Sequence, residues 1–236
     1  MSTAPSFNTY LKRRPIVLIV PLDWGLGHAT RCIPIIMYLL HIGCEVIAGA
    51  EGAQKALLAK EFPELKIIDI NGYRLKYGHS GWQTRWKIVS QSAQILTKIK
   101  YENKWLDQFL DEQQVDLIIS DNRYGLYSKK VHSIFITHQL AIRTGLGPLA
   151  DRLIQRLNYR LIEKFSACWV PDVEGENNLA GELSHPQKPP KIPIRAARNG
   201  KRVWLPTSLG QTNRSPISIT MAPNKKTPAA ATTLPP

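Results

Sequence analysis

The chain has 236 residues, of which 43% are hydrophobic, so it is long enough to bury a sizeable core, and its formal net charge is +13. This charge suggests a nucleic-acid partner until it is divided along the chain: residues 187–236 hold nine Lys or Arg and no Asp or Glu, and the remainder is only mildly basic. No apolar run approaches the ~20 residues that a membrane-spanning helix needs. Composition therefore predicts a globular protein with no specific nucleic-acid partner and no membrane span.

The hydrophobic pattern alternates between strand-like and helix-like segments. After a polar leader at 1–14, strands are predicted at 16–21, 44–49, 66–70, 115–120, 133–137 and 167–171, and helices at 29–41, 52–60, 82–111 and 148–165, with a short helix between the fourth and fifth strands. Short apolar strands separated by helices are typical of a parallel sheet covered on both faces. We predict one such α/β domain over residues 15–186.

The character of the sequence changes near residue 186. Four prolines fall within eight residues, and no periodic apolar segment follows them. Such a composition rarely buries enough surface to offset the entropy of ordering. We predict that 187–236 is a basic, Pro-rich tail, mostly disordered.

The three cysteines, Cys32, Cys44 and Cys168, are odd in number and fit no C-x-x-C spacing. This usage indicates buried thiols in a reducing compartment, so a cytoplasmic location is expected. There is no metal-ligand spacing and no phosphate loop ending in Gly-Lys-Ser/Thr. The sequence therefore predicts neither a bound metal nor ATP-driven chemistry.

The most informative motif follows the first predicted strand. Gly25 and Gly27 allow a tight turn, and the helix after them directs its free N–H groups to the same place. His28 adds a side chain that exchanges protons near neutral pH. Because ligands of open parallel sheets bind beyond the carboxyl ends of the strands, this loop is a candidate small-molecule site.

Other polar residues follow the remaining strands. Asp121 and Arg123 follow the fourth strand, and His138 follows the fifth, so His28 and His138 could face one cleft. Two simpler interpretations remain open: Asp121 could cap the short helix that follows it, and His138 could be a satisfied core histidine.

Dinucleotide binding is the alternative interpretation of the glycine loop. Gly25 and Gly27 fit the first two positions of G-x-G-x-x-G, and Glu51 follows the second strand. Thr30 stands where the third glycine would be, which argues against close packing of helix on strand. An NAD-dependent oxidoreductase is therefore disfavoured.

The predicted helix at 148–165 is amphipathic. Its apolar stripe comprises Leu149, Leu153, Leu157, Leu161 and Phe165, and its basic stripe Arg152, Arg156, Arg160 and Lys164. A basic amphipathic surface suits an anionic membrane. The simpler interpretation, which we favour from sequence, is a helix packed on the sheet with a solvated basic face.

Taken together, residues 21–34 (PLDWGLGHATRCIP), 121–125, 137–139 and 170–172 resemble bacterial glycosyltransferases of the GT-B type. The resemblance is to the group of the peptidoglycan N-acetylglucosaminyltransferase and the UDP-glycosyltransferases, and it covers about residues 15–194. It implies two Rossmann-like domains across a cleft, of which this chain holds the first, the acceptor domain. A UDP-sugar or similar nucleotide-sugar would be the donor, a glycan or lipid-linked molecule the acceptor, and no cofactor would be needed.

The resemblance also implies catalytic and substrate-binding roles for individual residues. His28 would be the base that deprotonates the acceptor or the group that orients it, and Asp23 would hold its other ring nitrogen. The other substrate-binding positions are Gly25, Gly27, Thr30, Asp121, Arg123 and His138.

The family's second domain should begin just past residue 190, where this sequence becomes acid-free instead. The resemblance thus implies a truncated hexosyltransferase-like enzyme that is inactive alone, self-associates through its exposed inter-domain face, and lies in the cytoplasm, peripheral to the inner membrane. A non-catalytic module that binds a sugar or nucleotide in the same cleft remains the alternative.

Overall fold

A parallel sheet of seven strands organises the protein, whose computed structural model describes residues 13–70, 81–142, 145, 147–173, 183–197, 203–204 and 218–219. In chain order the elements are β1 (Ile16–Pro21), α1 (Leu26–His41), β2 (Glu45–Gly49), α2 (Gly52–Glu61), β3 (Lys66–Ile68), α3 (Gly81–Glu112), β4 (Leu117–Asp121), β5 (His132–Ile136), α4 (Pro148–Ile162), β6 (Ala167–Val173), β7 (Ile194–Ala197), β8 (Val203–Trp204) and β9 (Ser218–Ile219). The short strands β8 and β9 form a separate antiparallel pair. The predicted α/β Rossmann-like class is confirmed.

The sheet order is β3-β2-β1-β4-β5-β6-β7, so the chain leaves β1 in one direction and returns on its other side through β4. The crevice at such a reversal is where open α/β sheets bind ligands. The switch point of this fold therefore lies beyond the carboxyl ends of β1 and β4, next to the glycine loop.

Alternate residues of β1 face opposite sides of the sheet and bury two separate cores. Val17 and Ile19 belong to the cluster that includes Ile36 and Leu39 of α1. Leu18 and Val20 belong to the cluster that includes Leu106 of α3. Both faces of β1 are thus covered, which explains its continuous apolar run.

The short helix predicted between β4 and β5 does not form, and this prediction is wrong. Residues 122–131 are an irregular loop, and side chains of α3 bind three of its backbone groups. Glu102 accepts a hydrogen bond from the Gly125 backbone N–H at 2.9 Å, and Asn103 donates to the carbonyls of Gly125 and Tyr127. A Cβ on Gly125 would lie 2.5 Å from a Glu102 carboxylate oxygen, so only glycine fits there.

The predicted start of the tail at residue 187 also needs correction. β7 pairs in parallel with β6, and Cys168 donates its backbone N–H to the Pro193 carbonyl at 2.9 Å. Ile192 and Ile194 pack on the buried cluster that includes Phe135. A four-residue edge strand is too short to show a hydrophobic period, so it could not be predicted from the sequence. The tail beyond it lies almost wholly outside the described residues.

All three cysteines are free and buried, as predicted. Burial raises the pKa of Cys44 to about 11, and the pKa of Cys32 is also raised by burial. These thiols are therefore unreactive core residues. Within the described part of the chain, no helix is both long and apolar enough to cross a bilayer.

Candidate functional site at the carboxyl edge of the sheet

The carboxyl ends of three neighbouring strands lie level with one another. Pro21 of β1 pairs with Asp121 of β4, and Asp121 pairs with Ile136 of β5. Asp121 is the last residue of its strand, and Asn122 after it adopts φ 61°, a conformation that asparagine tolerates better than most residues. This turn brings the residues that follow the three strands to one edge.

The glycine loop after β1 is held by α2. Gly25 precedes α1 with φ 68°, a left-handed conformation that favours glycine. The buried Gln54 donates from Nε2 to the carbonyls of Leu22 (2.6 Å) and Gly25 (2.7 Å). Gln54 therefore fixes the loop that sets the start of α1 and, with it, the position of His28.

His28 is paired with Asp121. Its Nδ1 lies 2.9 Å from Asp121 Oδ2, and the two side chains are 13% and 0% exposed. A carboxylate that is removed from water needs such a partner. The contact leaves the other ring nitrogen, Nε2, as the one available to a substrate.

Arg31, one helical turn after His28, completes the cluster. Its Nη2 lies 3.0 Å from Asp121 Oδ1 and 2.8 Å from His28 Nδ1, and its Nη1 lies 3.3 Å from His138 Nδ1. The guanidinium thereby connects all three polar side chains that follow β1, β4 and β5. The expected convergence of His28 and His138 is found, with Arg31 between them.

Only one of the two neighbours of His28 Nδ1 can share a hydrogen with it. Asp121 can only accept, whereas Arg31 can only donate, so Nδ1 either carries the hydrogen for Asp121 or accepts one from Arg31. We favour Nδ1–H donating to Asp121, because the carboxylate is fully buried and charged. Arg31 then donates from Nε to Asp121 Oδ2 at 3.3 Å, and its Nη2 forms an ion pair with Asp121 Oδ1 at 3.0 Å.

His138 has a lowered pKa. Removal of water by the surrounding protein is the largest cause, and the positive charges of Arg31 and His28 act in the same direction, while Asp121 and Asp172 act against it. The protonated ring is therefore disfavoured in the folded protein. The folded protein therefore loses stability through His138 as the pH falls below 6.5, the ordinary pKa of a histidine side chain. At higher pH, His138 does not lower the stability of the fold.

We predict that NMR titration finds the pKa of His138 below 6.5 and that Arg31→Gln raises it, because a neighbouring positive charge is removed. Lys55→Gln, which removes a cation paired with Asp69, is the control and should leave it unchanged. A pKa at or above 6.5, or one that ignores Arg31→Gln, contradicts this assignment.

Asp23 does not have the place that the resemblance gave it. The contact with the second His28 nitrogen is made by Asp121, whereas Asp23 lines a depression of about 480 Å³ between the glycine loop and the start of α2. Gly25, Glu51 and Gln54 also line this depression.

Arg123 is also placed differently from the expectation. Its side chain is 2% exposed, and its Nε donates to Glu102 Oε1 at 2.5 Å. Ser120 Oγ donates to the Arg123 carbonyl at 2.6 Å. We assign Arg123 to the support of the loop after β4, since a buried, ion-paired guanidinium is not free for an acceptor.

Thr30 and Gly27 lie in the first turns of α1. The Thr30 hydroxyl donates to the Leu26 carbonyl at 2.9 Å, which leaves its lone pairs for a ligand. A Cβ on Gly27 would meet nothing within 4 Å, so the structure does not require glycine there. No group of His, Cys, Asp or Glu in the described ranges is arranged to hold a metal ion.

No protein-family model matches the chain. Among curated proteins, it is 26% identical to an uncharacterized glycosyltransferase of Methanosarcina acetivorans, over an alignment covering 66% of this chain and 42% of that protein. The chain thus spans less than half the length of the curated relative that it matches.

The solved structures with similar folds include glycosyltransferases. A glycosyltransferase from Rickettsia africae gives a TM-score of 0.48 at 14% identity, with 80% of this chain and 44% of that one covered. UGT2 of Phytolacca americana, solved with UDP-2-fluoro-glucose and pterostilbene, gives 0.47 at 14%, with 77% and 53% covered. MurG of Acinetobacter baumannii gives 0.38 at 12%, with 68% and 42% covered. The resemblance to glycosyltransferases is confirmed by the curated relative.

Proposed function

We propose that this domain is the acceptor-binding part of a nucleotide-sugar-dependent glycosyltransferase and that His28 is its general base. The observation that carries the proposal is the pairing of His28 Nδ1 with the fully buried Asp121 carboxylate at 2.9 Å. A histidine held through one ring nitrogen by a buried carboxylate can take up a proton at the other. The 26% identity to a protein named a glycosyltransferase supports the same reaction class.

In the proposed reaction an acceptor hydroxyl attacks the anomeric carbon of the donor sugar. The new bond joins the acceptor oxygen to that carbon, the bond from the carbon to the nucleotide diphosphate breaks, and the hydroxyl proton moves to His28 Nε2. Asp121 stabilises the resulting imidazolium. Arg31 neutralises part of the Asp121 charge and keeps the carboxylate in place.

The acceptor would lie along the edge between His28 and His138 and extend into the depression lined by Asp23 and Glu51. Carboxylates and imidazoles suit the many hydroxyl groups of a glycan or of a lipid-linked sugar. The donor, a UDP-sugar or similar nucleotide-sugar, would be bound by a second domain, as the resemblance to GT-B glycosyltransferases implies. We therefore propose that this chain alone does not transfer sugar.

Isothermal titration with three ligand classes tests the proposal. Soluble glycans are expected to bind weakly and to lose that binding in His138→Ala, while His41→Ala, a change at an exposed histidine at the other end of α1, serves as the matched control. NAD is expected not to bind. Micromolar binding of NAD with no binding of glycans or nucleotide-sugars would overturn the proposal in favour of an oxidoreductase.

A further inference from the structure

Helix α4 presents two leucines to solvent. Leu149 is 80% exposed and Leu153 67% exposed, more than any other large apolar side chain among the described residues. The apolar stripe expected to pack on the sheet is therefore divided: Leu157 and Leu161 are half-buried, Phe165 is buried, and the first half of the helix is uncovered. The simpler sequence interpretation holds only for the second half.

The helix cannot turn these leucines inward, because polar contacts fix its opposite side. Asn158 accepts a hydrogen bond from the Tyr124 hydroxyl at 2.8 Å and donates to the Leu140 carbonyl at 3.1 Å. Gln155 donates to the same carbonyl at 2.6 Å and accepts from the Ile142 backbone N–H at 2.7 Å. Rotation would leave these buried groups unpaired, which is costly.

Three arginines lie on the same surface. Arg152, Arg156 and Arg160 are exposed, and their spacing from the leucines, three or four residues at each step from Leu149, places all five on one side of the helix. Within the described part of the chain, none of the three has an ion-pair partner. We call these five residues the α4 face.

We propose that the α4 face binds the surface of an anionic lipid bilayer. The leucines would enter the boundary between headgroups and acyl chains, and the guanidiniums would contact lipid phosphates. Charge complementarity supports this partner over a second copy of the chain, since two such faces would bring six unpaired cations together, and the whole chain carries +13. The proposal does not depend on the reaction proposed above.

The α4 face lies on the same side of the sheet as the candidate site. Helix α4 begins after the carboxyl end of β5, and the exposed leucines lie in its first half, on the side of the sheet edge that holds His28 and His138. A bilayer bound there would lie beside the candidate site. Substrates that reside in the membrane would then approach that edge without leaving the lipid surface.

Co-sedimentation of the full chain with vesicles tests the proposal. We expect binding to vesicles of equal parts phosphatidylcholine and phosphatidylglycerol and much weaker binding to phosphatidylcholine alone. Leu149→Ser with Leu153→Ser, and separately Arg152→Gln with Arg156→Gln and Arg160→Gln, should each weaken binding by about tenfold or more. All five side chains are exposed, so these variants should unfold at nearly the wild-type temperature.

Two matched controls test whether vesicle binding depends on the α4 face itself or on any exposed apolar or positively charged residues of the chain. Met37→Ser with Leu40→Ser removes two exposed apolar side chains of α1. Lys188→Gln with Lys225→Gln and Lys226→Gln removes three positive charges from the basic C-terminal segment. Both controls should retain most of the binding.

Several results would overturn the proposal. Wild-type chain that fails to sediment with anionic vesicles, or that binds neutral vesicles equally, contradicts it. So does a lysine control that weakens binding as much as the arginine variant, because the C-terminal segment would then be the membrane contact. Oligomers that become monomers only in the leucine variant, with vesicle binding unchanged, would assign the face to a second copy.

Discussion

Replacing His28 by alanine is expected to lower kcat by about a hundredfold or more, with little change in stability, once the chain is joined to a nucleotide-sugar-binding domain. The joined protein would carry residues 1–197 followed by a domain that has been shown separately to bind the nucleotide-sugar. The loss follows from removal of the group that takes the acceptor proton. Arg31 still pairs with the buried Asp121 carboxylate when the His28 ring is removed, so the fold should survive.

Asp121→Asn should lower kcat by a comparable factor, because an amide cannot stabilise the imidazolium as a carboxylate does. His41→Ala changes a histidine of the same helix that lies away from the edge, and it should leave kcat unchanged. Near-wild-type turnover of His28→Ala would remove His28 from the chemistry. An effect on KM alone would make it a binding residue.

The largest expected effect on stability belongs to Glu102→Ala, which should reduce the free energy of unfolding by about 3–5 kcal/mol. Glu102 is buried, pairs with the buried Arg123 and accepts the Gly125 N–H, so its removal leaves a charge and a backbone donor without this partner. Urea unfolding followed by circular dichroism measures the change.

Asp111→Ala provides the matched control on the same helix as Glu102, since it breaks the exposed pair of Asp111 and the loop residue Lys130 and should change stability little. The double variant Glu102→Leu with Arg123→Met should recover much of the loss, because both charges are removed together. If Glu102→Ala changes the free energy of unfolding as little as Asp111→Ala does, the pair of Glu102 and Arg123 does not stabilise the loop after β4.

Much of the fold could be predicted from sequence because its elements are long or continuously apolar. The helix predicted at 82–111 is observed at Gly81–Glu112, and the helix predicted at 148–165 ends three residues earlier. The loop after β4 could not be predicted, since its conformation depends on Glu102 and Asn103, about twenty residues away in the chain. Local patterns carry no information on such contacts.

Some parts of the candidate site could be predicted from the sequence and others could not. The rule that ligands bind beyond strand ends correctly placed His28 and His138 on one edge. It could not choose between Asp23 and Asp121 as the partner of His28, because both follow strands and only the sheet register decides. The spacing of Arg31 three residues after His28 was a signal for a shared helix face that the sequence analysis did not use. The support of Gln54 to the glycine loop had no such signal.

Formation of glycosylated acceptor is the most direct test of the central claim. We expect that the joined protein releases nucleotide diphosphate and transfers sugar to the acceptor, and that its His28→Ala variant does so about a hundredfold more slowly. The 236-residue chain alone is expected to give no product. Turnover of a nucleotide-sugar by the unjoined chain at about 1 per second, the low end for ordinary enzymes, would contradict the need for a second domain. Equal rates with and without the His28 ring would contradict its assignment as the base.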